Sequence, residues 1–284
     1  MKTNHSINIS ELSIIICGIV RDCAHGIKRN KPAIDTLCSM AKEAKVVLFE
    51  NDSKDGTKAL LAQWADECKN VYVQCEDFHS ITIPTAKESK GVNPSFSAKR
   101  INKMAYYRNQ YLHFIKEHEW IADFVIVVDM DLKRIDIDGI LHSLSLADTW
   151  DMVAANGLIY SPSAMFRRRY NDTYALVENG EENTPQTEAS IREKQYKWAK
   201  LKKGLPLVPV YSAFGGLAIY RFEALKDCTY EVLKNNDSRV EVRCEHFAIC
   251  KQMHEHGYNR IFINPVMKVL YGSYGTDRFL KLFS

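Results

Sequence analysis

The segment Phe124-Val125-Ile126-Val127-Val128-Asp129-Met130-Asp131 decides the fold class, because it runs from an uninterrupted apolar stretch straight into two carboxylates. Five apolar residues, most of them β-branched, predict a strand that is buried on both faces, as in a parallel sheet. Asp129 and Asp131 can point towards one ion once the chain leaves strand geometry. Hard divalent cations prefer such oxygen ligands, so this D-x-D turn predicts a site for Mg²⁺ or Mn²⁺. The alternative is structural, with Asp131 capping the next turn and Asp129 bonded to nearby backbone.

Apolar strands and helical stretches alternate on both sides of this segment. Further strands are predicted at 12–20, 45–50, 71–73, 152–155, 218–220 and 260–263, and helices at 32–43, 58–68, 97–118, 136–146 and 244–256. The first helix is predicted to begin at Pro32, which suits a first helical turn. This alternation indicates an α/β fold with a mostly parallel sheet and helices on both faces. Ligands of such sheets bind beyond the carboxyl ends of the strands, where polar clusters follow the first, second and fourth strands.

Composition and charge are those of a globular domain without a strong electrostatic field. The 284 residues are 46% hydrophobic and 26% charged, and the net charge of +3 does not favour nucleic acid as a partner. The eight cysteines form no C-x-x-C pair, which argues against a zinc site. Because the sequence also shows no signal peptide, we expect a reducing cytoplasmic compartment. Leu12–Val20, the longest apolar run near the start, is too short to span a membrane. Residues 278–283 predict at most a peripheral membrane contact.

The acidic turn Glu50-Asn51-Asp52-Ser53-Lys54-Asp55-Gly56-Thr57 follows the second predicted strand. Together with the D-x-D turn it resembles the GT-A glycosyltransferases of family 2, whose second strand often ends in a turn of this kind. The E-N-D-S-x-D-G-T form is most similar to the cryptococcal capsule mannosyltransferase-like group and its viral and bacterial relatives. The resemblance implies a GT-A fold and places Glu50 and Asp52 at the donor, with Asp52 near the nucleotide base or ribose. The other interpretation is a plain capped turn, in which Ser53 or Asp55 satisfies the N-terminus of the next helix.

Two arginines and an asparagine on the helix before the D-x-D strand extend the resemblance. Arg100 and Arg108-Asn109 match the R…A-x-x-R-N helix of the family, which faces the donor. Arg100 and Arg108 are eight residues apart and so lie on similar helix faces, and the planar arginine fork suits phosphate. Asp22, after the first strand, is placed at the nucleotide by the same resemblance. A solvated helix face is the structural alternative for the arginines and for Asn109.

Two later segments complete the comparison with the family. Gly215-Gly216 resembles a G-G segment that lies beside the donor sugar, although a tight turn also explains paired glycines. Glu245-His246 stands where the family has an E-D pair whose aspartate acts as base on the acceptor hydroxyl. Either residue type can serve as a base, and a neutral His246 can also be a metal ligand beside Asp129 and Asp131. The alternative is a glutamate at a helix start, followed by a histidine whose hydrogen bonds the fold satisfies.

The resemblance implies a metal-dependent enzyme that transfers a sugar from a UDP- or GDP-sugar to a hydroxyl of a glycan or lipid-linked acceptor, as in polysaccharide biosynthesis. It divides one continuous domain into a nucleotide-sugar-binding half at 1–156 and an acceptor-binding half at 157–284. The strongly polar stretch at about 165–203 predicts a flexible insertion. Two other functions stay open. A sugar nucleotidyltransferase would need a glycine- and basic-rich loop after the first strand, which Gly18–Cys23 matches poorly, and a carbohydrate-binding protein on the same fold would not need the two aspartates.

Overall fold

The computed structural model describes residues 8–160, 167–201 and 204–272, which form one sheet with helices on both faces. The strands are β1 Ser13–Val20, β2 Glu43–Asn51, β3 Val71–Glu76, β4 Phe124–Val128, β5 Arg134–Ile135, β6 Met152–Tyr160, β7 Arg168–Tyr170, β8 Val208–Pro209, β9 Leu217–Arg221 and β10 Ile261–Tyr271. The helices are α1 Ala24–Met40, α2 Thr57–Glu67, α3 Ala98–Glu117, α4 Ile137–Ser145, α5 Glu188–Lys197, α6 Phe222–Leu225 and α7 Glu245–Glu255.

The order of the strands is β3-β2-β1-β4-β9-β6-β10-β5, with β7 paired to β6 and β8 paired to β10. Strands β3, β2, β1 and β4 pair in parallel, as do β6 and β10, so the predicted α/β class with a mostly parallel sheet is confirmed. Strand β9 runs antiparallel to both β4 and β6, and Leu217 lies opposite Val128. Because of this reversal, the residues just before β9 are brought beside the D-x-D turn that follows β4.

The apolar strand residues alternate between two cores, one on each face of the sheet. Ile15 and Val125 belong to the core that also contains residues of α3 and α7. Ile16 and Ile126 belong to the core that contains residues of α1, α2 and α4. All five residues of β4 are buried, as the uninterrupted apolar run predicts. The two helix layers therefore fix the carboxyl ends of β1, β2 and β4 at one end of the sheet.

Helix α1 begins earlier than the sequence predicted, at Ala24 rather than at Pro32. Its N-terminus is capped by a distant residue, because the Ala24 amide donates to Asp55 Oδ2 over 3.0 Å. The residue at the N-cap, Cys23, makes no side-chain capping hydrogen bond that could have marked this start. Pro32 lies inside the helix. Because proline has no N–H, the carbonyl of Lys28, four residues earlier, lacks its helical hydrogen bond. Both residues are exposed to water. The proline therefore signalled the wrong boundary.

In its described residues, 167–201, the predicted flexible insertion contains regular structure. It contributes β7 and α5, and Tyr170, Leu176 and Trp198 are buried in the core on the α3 side of the sheet. The structure differs from the prediction because a few separated apolar side chains anchor a segment whose average composition is polar. The prediction used the average polarity of the segment, whereas its packing depends on a few apolar side chains.

None of the helices that the structure describes is long and apolar enough to cross a membrane. All eight cysteines are free. The segment 278–283, predicted to contact a membrane surface, lies outside the described residues. The division of the domain into a donor half and an acceptor half stays a prediction.

Candidate active site

A cleft of about 830 Å³ opens beyond the carboxyl ends of β1, β2 and β4. Seven of the residues that the sequence predicted for the site line this cleft: Asp22, Arg100, Arg108, Asp129, Asp131, Glu245 and His246. Five do not line it: Glu50, Asp52, Asn109, Gly215 and Gly216. The fold therefore gathers most of the predicted residues in one place, and the contacts of each show what it can do there.

Three neighbours fix Asp129 directly after β4. Its amide donates to the Gly216 carbonyl over 2.9 Å, and its Oδ2 accepts from the Tyr271 hydroxyl over 2.8 Å. Its Oδ1 lies 3.4 Å from Arg108 Nη2. Burial raises the pKa of this carboxyl, and the positive charge of Arg108 opposes the increase. The protein therefore orients this side chain before any ligand binds, and hydrogen-bond partners of this kind also orient carboxylates that bind metals.

The Gly215-Gly216 pair makes this arrangement possible. The two residues have φ angles of 68° and 91°, in the region that favours glycine. A Cβ atom at Gly216 would overlap with the Tyr271 ring, and one at Gly215 would overlap with the Ala155 carbonyl. Because neither glycine lines the cleft, the pair affects the site through the residues that it contacts, namely Tyr271, Asp129 and Asp172.

Asp131 is more exposed than Asp129 and lines the cleft. Helix α1 fixes its turn, because the buried Asn30 amide donates to the carbonyls of Met130 and Leu132 over 2.8 and 2.9 Å. Desolvation inside the cleft, followed by the negative charge of Asp129, raises the pKa of Asp131 to about 6. The two carboxyl groups thus disfavour each other's charge, and a bound cation would relieve that repulsion.

Arg108 is buried between two carboxylates. Its Nε donates to Glu245 Oε1 over 3.1 Å, and its Nη2 faces Asp129 Oδ1 at 3.4 Å. The Phe214 ring centroid lies 5.0 Å from its Cζ atom. The sequence predicted that Arg108 binds the donor, but two of its nitrogens join the D-x-D turn to the start of α7. Its Nη1 has no hydrogen-bond partner among the described residues and remains for a ligand.

His246 is buried, and both of its ring nitrogens lack a hydrogen-bond partner in the described part of the chain. Its ring stacks on Phe214 at a centroid distance of 3.8 Å and meets the Tyr230 ring at 5.5 Å and 86°. Burial, with the nearby charge of Arg108, lowers the pKa of the imidazole well below its usual value, so the ring is neutral. Leaving buried polar atoms unpaired is unfavourable. Because His246 lines the cleft, its nitrogens are placed to hydrogen-bond a ligand.

The acidic turn after β2 makes its hydrogen bonds mainly within the protein. Glu50 Oε1 accepts from the Ser53 amide over 2.8 Å, and Asp52 Oδ1 accepts from the His79 amide over 2.7 Å. The other oxygen of Asp52 lies 3.5 Å from Arg21 Nη1. Both carboxylates are buried. These contacts favour the capped-turn interpretation, and a contact of Asp52 with a nucleotide stays a prediction.

Asp22 and Arg100 line the cleft and also contact the protein, whereas Asn109 does not line it. Asp22 Oδ1 accepts from the Lys54 amide over 2.8 Å. Arg100 Nη1 donates to the Ser95 carbonyl over 3.0 Å while its side chain lines the cleft. The Asn109 amide donates to the Tyr230 carbonyl and accepts from the Tyr230 amide, both over 2.8 Å. Asn109 therefore fixes the loop that carries Tyr230, and its contact with a donor stays a prediction.

The residues fit a divalent cation as a set of two carboxylates. In residues 8–160, 167–201 and 204–272, no group of three or more His, Cys, Asp or Glu side chains converges on one point. The structure therefore does not bring His246 into a cluster with Asp129 and Asp131. Mg²⁺ and Mn²⁺ commonly take one or two carboxylates and complete their shell with water and substrate phosphates. Asp129 and Asp131 match that pattern.

Three residues that shape the site belong to none of the predicted motifs. Asp172 and Tyr271 line the cleft, and Asn30 holds the D-x-D turn from α1. Local sequence does not mark Asp172 or Tyr271, because the pairing of distant strands brings them to the site. Asn30 had a signal that could have revealed it. It lies between Ile27 and Ile34 on the apolar face of α1, where a buried polar residue requires a partner.

This sheet, with a D-x-D turn at the end of a buried parallel strand and a cleft beside it, agrees with the GT-A fold of the glycosyltransferases that the sequence resembles. The sequence model of the family described as cryptococcal mannosyltransferase 1 matches residues 14–252. The chain belongs to this family. No curated protein matches the chain.

Three solved structures that are similar to the chain have low sequence identity to it. Mannosyltransferase PcManGT from Pyrobaculum calidifontis, in complex with GDP-Man and Mn²⁺, has a TM-score of 0.51 and 14% identity over 94% of this chain and 59% of that one. S. aureus TarS 1-349 has a TM-score of 0.48 and 14% identity over 94% of this chain and 62% of that one. GalNAc-T7 with UDP, GalNAc and Mn²⁺ has a TM-score of 0.48 and 13% identity over 92% of this chain and 44% of that one. The chain spans less than two thirds of each of these proteins, and the first likeness shows the fold alone.

Proposed function

We propose that the chain transfers a sugar from a nucleoside diphosphate sugar to a hydroxyl of a glycan or lipid-linked acceptor, with Mn²⁺ or Mg²⁺ held by Asp129 and Asp131. The observation that carries the proposal is this pair of carboxyl groups, fixed at the end of β4 in a cleft of about 830 Å³. That volume lies within the range of small-molecule sites. Membership of the family and the GT-A fold support the reaction class. GDP-mannose is the first donor to test, because the family is described as a mannosyltransferase and PcManGT was solved with GDP-Man.

The donor diphosphate suits the side of the cleft formed by the D-x-D turn and the start of α1. Helix α1 has 17 residues, and the N-terminus of such a helix carries partial positive charge. His25 and Gly26 of its first turn line the cleft, and Gly26 packs against the backbone of Asp131. Arg21 adds a guanidinium on the same side. When bound, the cation would neutralise the charge that develops on the departing diphosphate.

On the acceptor side, we assign roles to Glu245 and His246. Glu245 Oε1 is oriented by Arg108, and its Oε2 has only the weak donor Cys244 Sγ, at 3.5 Å, among the described residues. His246 is neutral and unpaired, so one ring nitrogen can accept a hydrogen bond and the other can donate one. The two side chains can therefore position an acceptor hydroxyl and receive its proton as the new bond forms.

A binding and turnover experiment on the full chain tests this proposal. GDP-mannose, UDP-glucose and UDP-N-acetylglucosamine are each added with and without Mn²⁺, because a ligand bound by the folded state raises the melting temperature. We expect one donor to stabilise the chain in a manner that depends on Mn²⁺ and to release its nucleoside diphosphate. Asp131→Asn should lose both effects, and Asp66→Asn, at an exposed position of α2, is the matched control.

Two results would favour the other functions instead. Release of pyrophosphate from a nucleoside triphosphate and a sugar phosphate would indicate a nucleotidyltransferase. Binding of glycans without any binding of nucleotide and metal would indicate a carbohydrate-binding protein on a GT-A fold. Either result, with no turnover of a nucleotide sugar, would contradict the proposed function.

A further inference from the structure

Part of the cleft surface lies outside the residues assigned to the donor, the cation and the proton transfer. Phe96, Arg100, Asp172 and Tyr174 line this part, and we name them the aromatic wall. The Phe96 and Tyr174 rings contact each other, with a centroid distance of 4.6 Å and an angle of 52°. Arg100 Nε has no hydrogen-bond partner among the described residues. The wall therefore combines apolar ring surface with a carboxyl group and a guanidinium.

Asp172 is tied to the same dipeptide that positions Asp129. Its Oδ2 accepts from the Gly215 amide over 3.2 Å, and the Gly216 carbonyl accepts from the Asp129 amide over 2.9 Å. The backbone of Asp172 has a φ angle of 60°, an uncommon conformation for a residue other than glycine. Within the described ranges, the Gly215 amide is the single hydrogen-bond donor to this carboxyl, which leaves Oδ1 for a ligand. The dipeptide thus holds Asp172 near the carboxylate that we assign to the cation.

The surroundings of Asp172 disfavour a further negative charge. Burial raises the pKa of its carboxyl to about 8, the charges of Asp129 and Glu245 add to this effect, and Arg108 opposes it. The Asp172 carboxyl therefore keeps its proton near neutral pH, and such a group can both donate and accept a hydrogen bond.

We propose that the aromatic wall is the acceptor subsite, that it binds a hexopyranose ring, and that Asp172 hydrogen-bonds the hydroxyl that receives the transferred sugar. Sugar hydroxyls both donate and accept, which matches a carboxyl and a guanidinium on one wall. The C–H faces of a sugar ring provide apolar area that can pack on the half-buried Phe96 ring, which rests on Tyr174 of the core. The inference rests on the proposed function, because a sugar transferase needs a second substrate beside Asp129.

Two reactions of the full chain separate the acceptor from the donor. The first is transfer from the best nucleotide sugar to methyl glucoside, methyl galactoside and methyl mannoside, and the second is slow hydrolysis of the same donor without acceptor. Asp172→Asn keeps the size of the side chain and an acceptor for the Gly215 amide. We expect it to lower kcat/KM for the methyl hexopyranosides by about tenfold or more, because the amide nitrogen that replaces Oδ1 cannot accept a hydrogen bond from the reacting hydroxyl. The loss of transfer should exceed any change in donor hydrolysis, whereas Asp66→Asn, at an exposed position of α2, should match the wild type in both reactions.

Unchanged kcat/KM for the methyl hexopyranosides in Asp172→Asn would overturn the inference and leave the proposed function standing. Transfer to a simple alcohol such as glycerol, but to none of the hexopyranosides, would overturn it as well. A wild-type chain that neither binds nor hydrolyses a nucleotide sugar would instead remove the proposed function and the inference together. If Asp172→Asn melts well below the wild type, Asp172→Ser repeats the comparison, because its hydroxyl can also accept from the Gly215 amide.

Discussion

Two acidic turns stand at the same end of the sheet, and they use their carboxyl groups differently. After β2, backbone amides hold the acids, since Asp52 accepts from the His79 amide over 2.7 Å and Asp55 accepts from the first amide of α1 over 3.0 Å. Burial opposes the charge of both, but side-chain hydrogen bonds from Asn51 to Asp52 and from Thr57 to Asp55, together with the backbone amides, outweigh it and lower the pKa of each carboxyl. After β4, desolvation and the charge of Asp129 raise the pKa of Asp131 to about 6.

The difference shows where function lies in a chain that has many acidic residues. A carboxylate whose charge is compensated by amides stabilises the fold and has little left for a ligand. A pair of carboxylates whose charges oppose each other weakens the fold slightly and is suited to bind a cation, as perturbed groups at functional sites often do. The sequence could not separate the two turns, because both are acidic and both follow buried strands.

The largest expected effect, and the most direct way to break this comparison, comes from Asp131→Asn. Transfer should fall by about 10³-fold or more, because the bound cation stabilises the departing diphosphate by several kcal/mol. Without metal at pH 7, the variant should melt about 1–3 °C above the wild type. A carboxyl with a raised pKa adds stability below its unfolded pKa, near 3.8, and loses this contribution as the pH rises through about 6. Transfer assays and calorimetry measure the two effects, and wild-type turnover would contradict the metal role.

The next largest effect should come from replacing Arg108, whose guanidinium contacts both Glu245 and Asp129. Arg108→Met keeps a long side chain against Phe214 but leaves Asp129 and Glu245 without their common partner. Breaking a buried pair costs roughly 3–5 kcal/mol, and we expect the lower end because the Asp129 side chain is 23% exposed. Urea denaturation at pH 7 measures the free energy of unfolding. Arg108→Lys should recover part of the loss, and a loss below about 1 kcal/mol in Arg108→Met would show that the carboxylates do not need this partner.

The sheet and the D-x-D turn could be predicted because contiguous residues determine them. Strands β1 and β4 are unbroken apolar runs, and α3 begins after Ser97, whose hydroxyl accepts from the Arg100 amide, close to the predicted start. The start of α1 could not be predicted, because the Asp55 side chain that caps Ala24 lies 31 residues further along the chain. Likewise, the direction of β9 is decided by its pairing with β4 and β6 and not by its own residues.

The candidate site divides in the same way. Asp129, Asp131 and Glu245 could be predicted because each lies at the end of an element that the sequence marks. Asp172 could not, because it lies in a polar segment and its place depends on a hydrogen bond from Gly215 that exists only in the folded chain. The contacts of the predicted residues could not be predicted either, because a motif identifies a charged residue but not the partner that it contacts.

A smaller and purely structural effect is expected in the turn after β2. Asp55→Ala removes the acceptors of the Ala24 and Thr57 amides, at 3.0 and 3.1 Å, from the starts of two helices. Losing helix caps costs roughly 1–2 kcal/mol, whereas kcat should stay within about twofold of wild type. Because the pKa of Asp55 is lowered in the fold, its contribution is present above the unfolded pKa, near 3.8, and is lost as the pH falls further. Urea denaturation at pH 7 and at pH 3 measures this.

The matched control for that variant is Asp55→Asn, which keeps one oxygen acceptor and should recover part of the stability at pH 7. One combination of results for Asp55→Ala would contradict the proposed difference between the two turns. If Asp55→Ala lost transfer activity while its free energy of unfolding stayed that of the wild type, the turn after β2 would act on the substrate and not on the fold.

The smallest expected effect is the dependence of the Mn²⁺ affinity on pH, which reports on the repulsion between the Asp129 and Asp131 carboxylates. Asp131 has to lose its proton before it binds a cation, so protons compete with the metal. With a pKa of about 6, the apparent Kd for Mn²⁺ should be nearly constant above pH 7 and should rise about tenfold for each pH unit well below 6. Calorimetric titration from pH 5 to 8 measures this, and Asp66→Asn, at an exposed position of α2, should show the same transition as the wild type. An affinity that did not change over this range would mean that the carboxyl groups after β4 are as well compensated as those after β2, and the two turns could no longer be distinguished by their electrostatics.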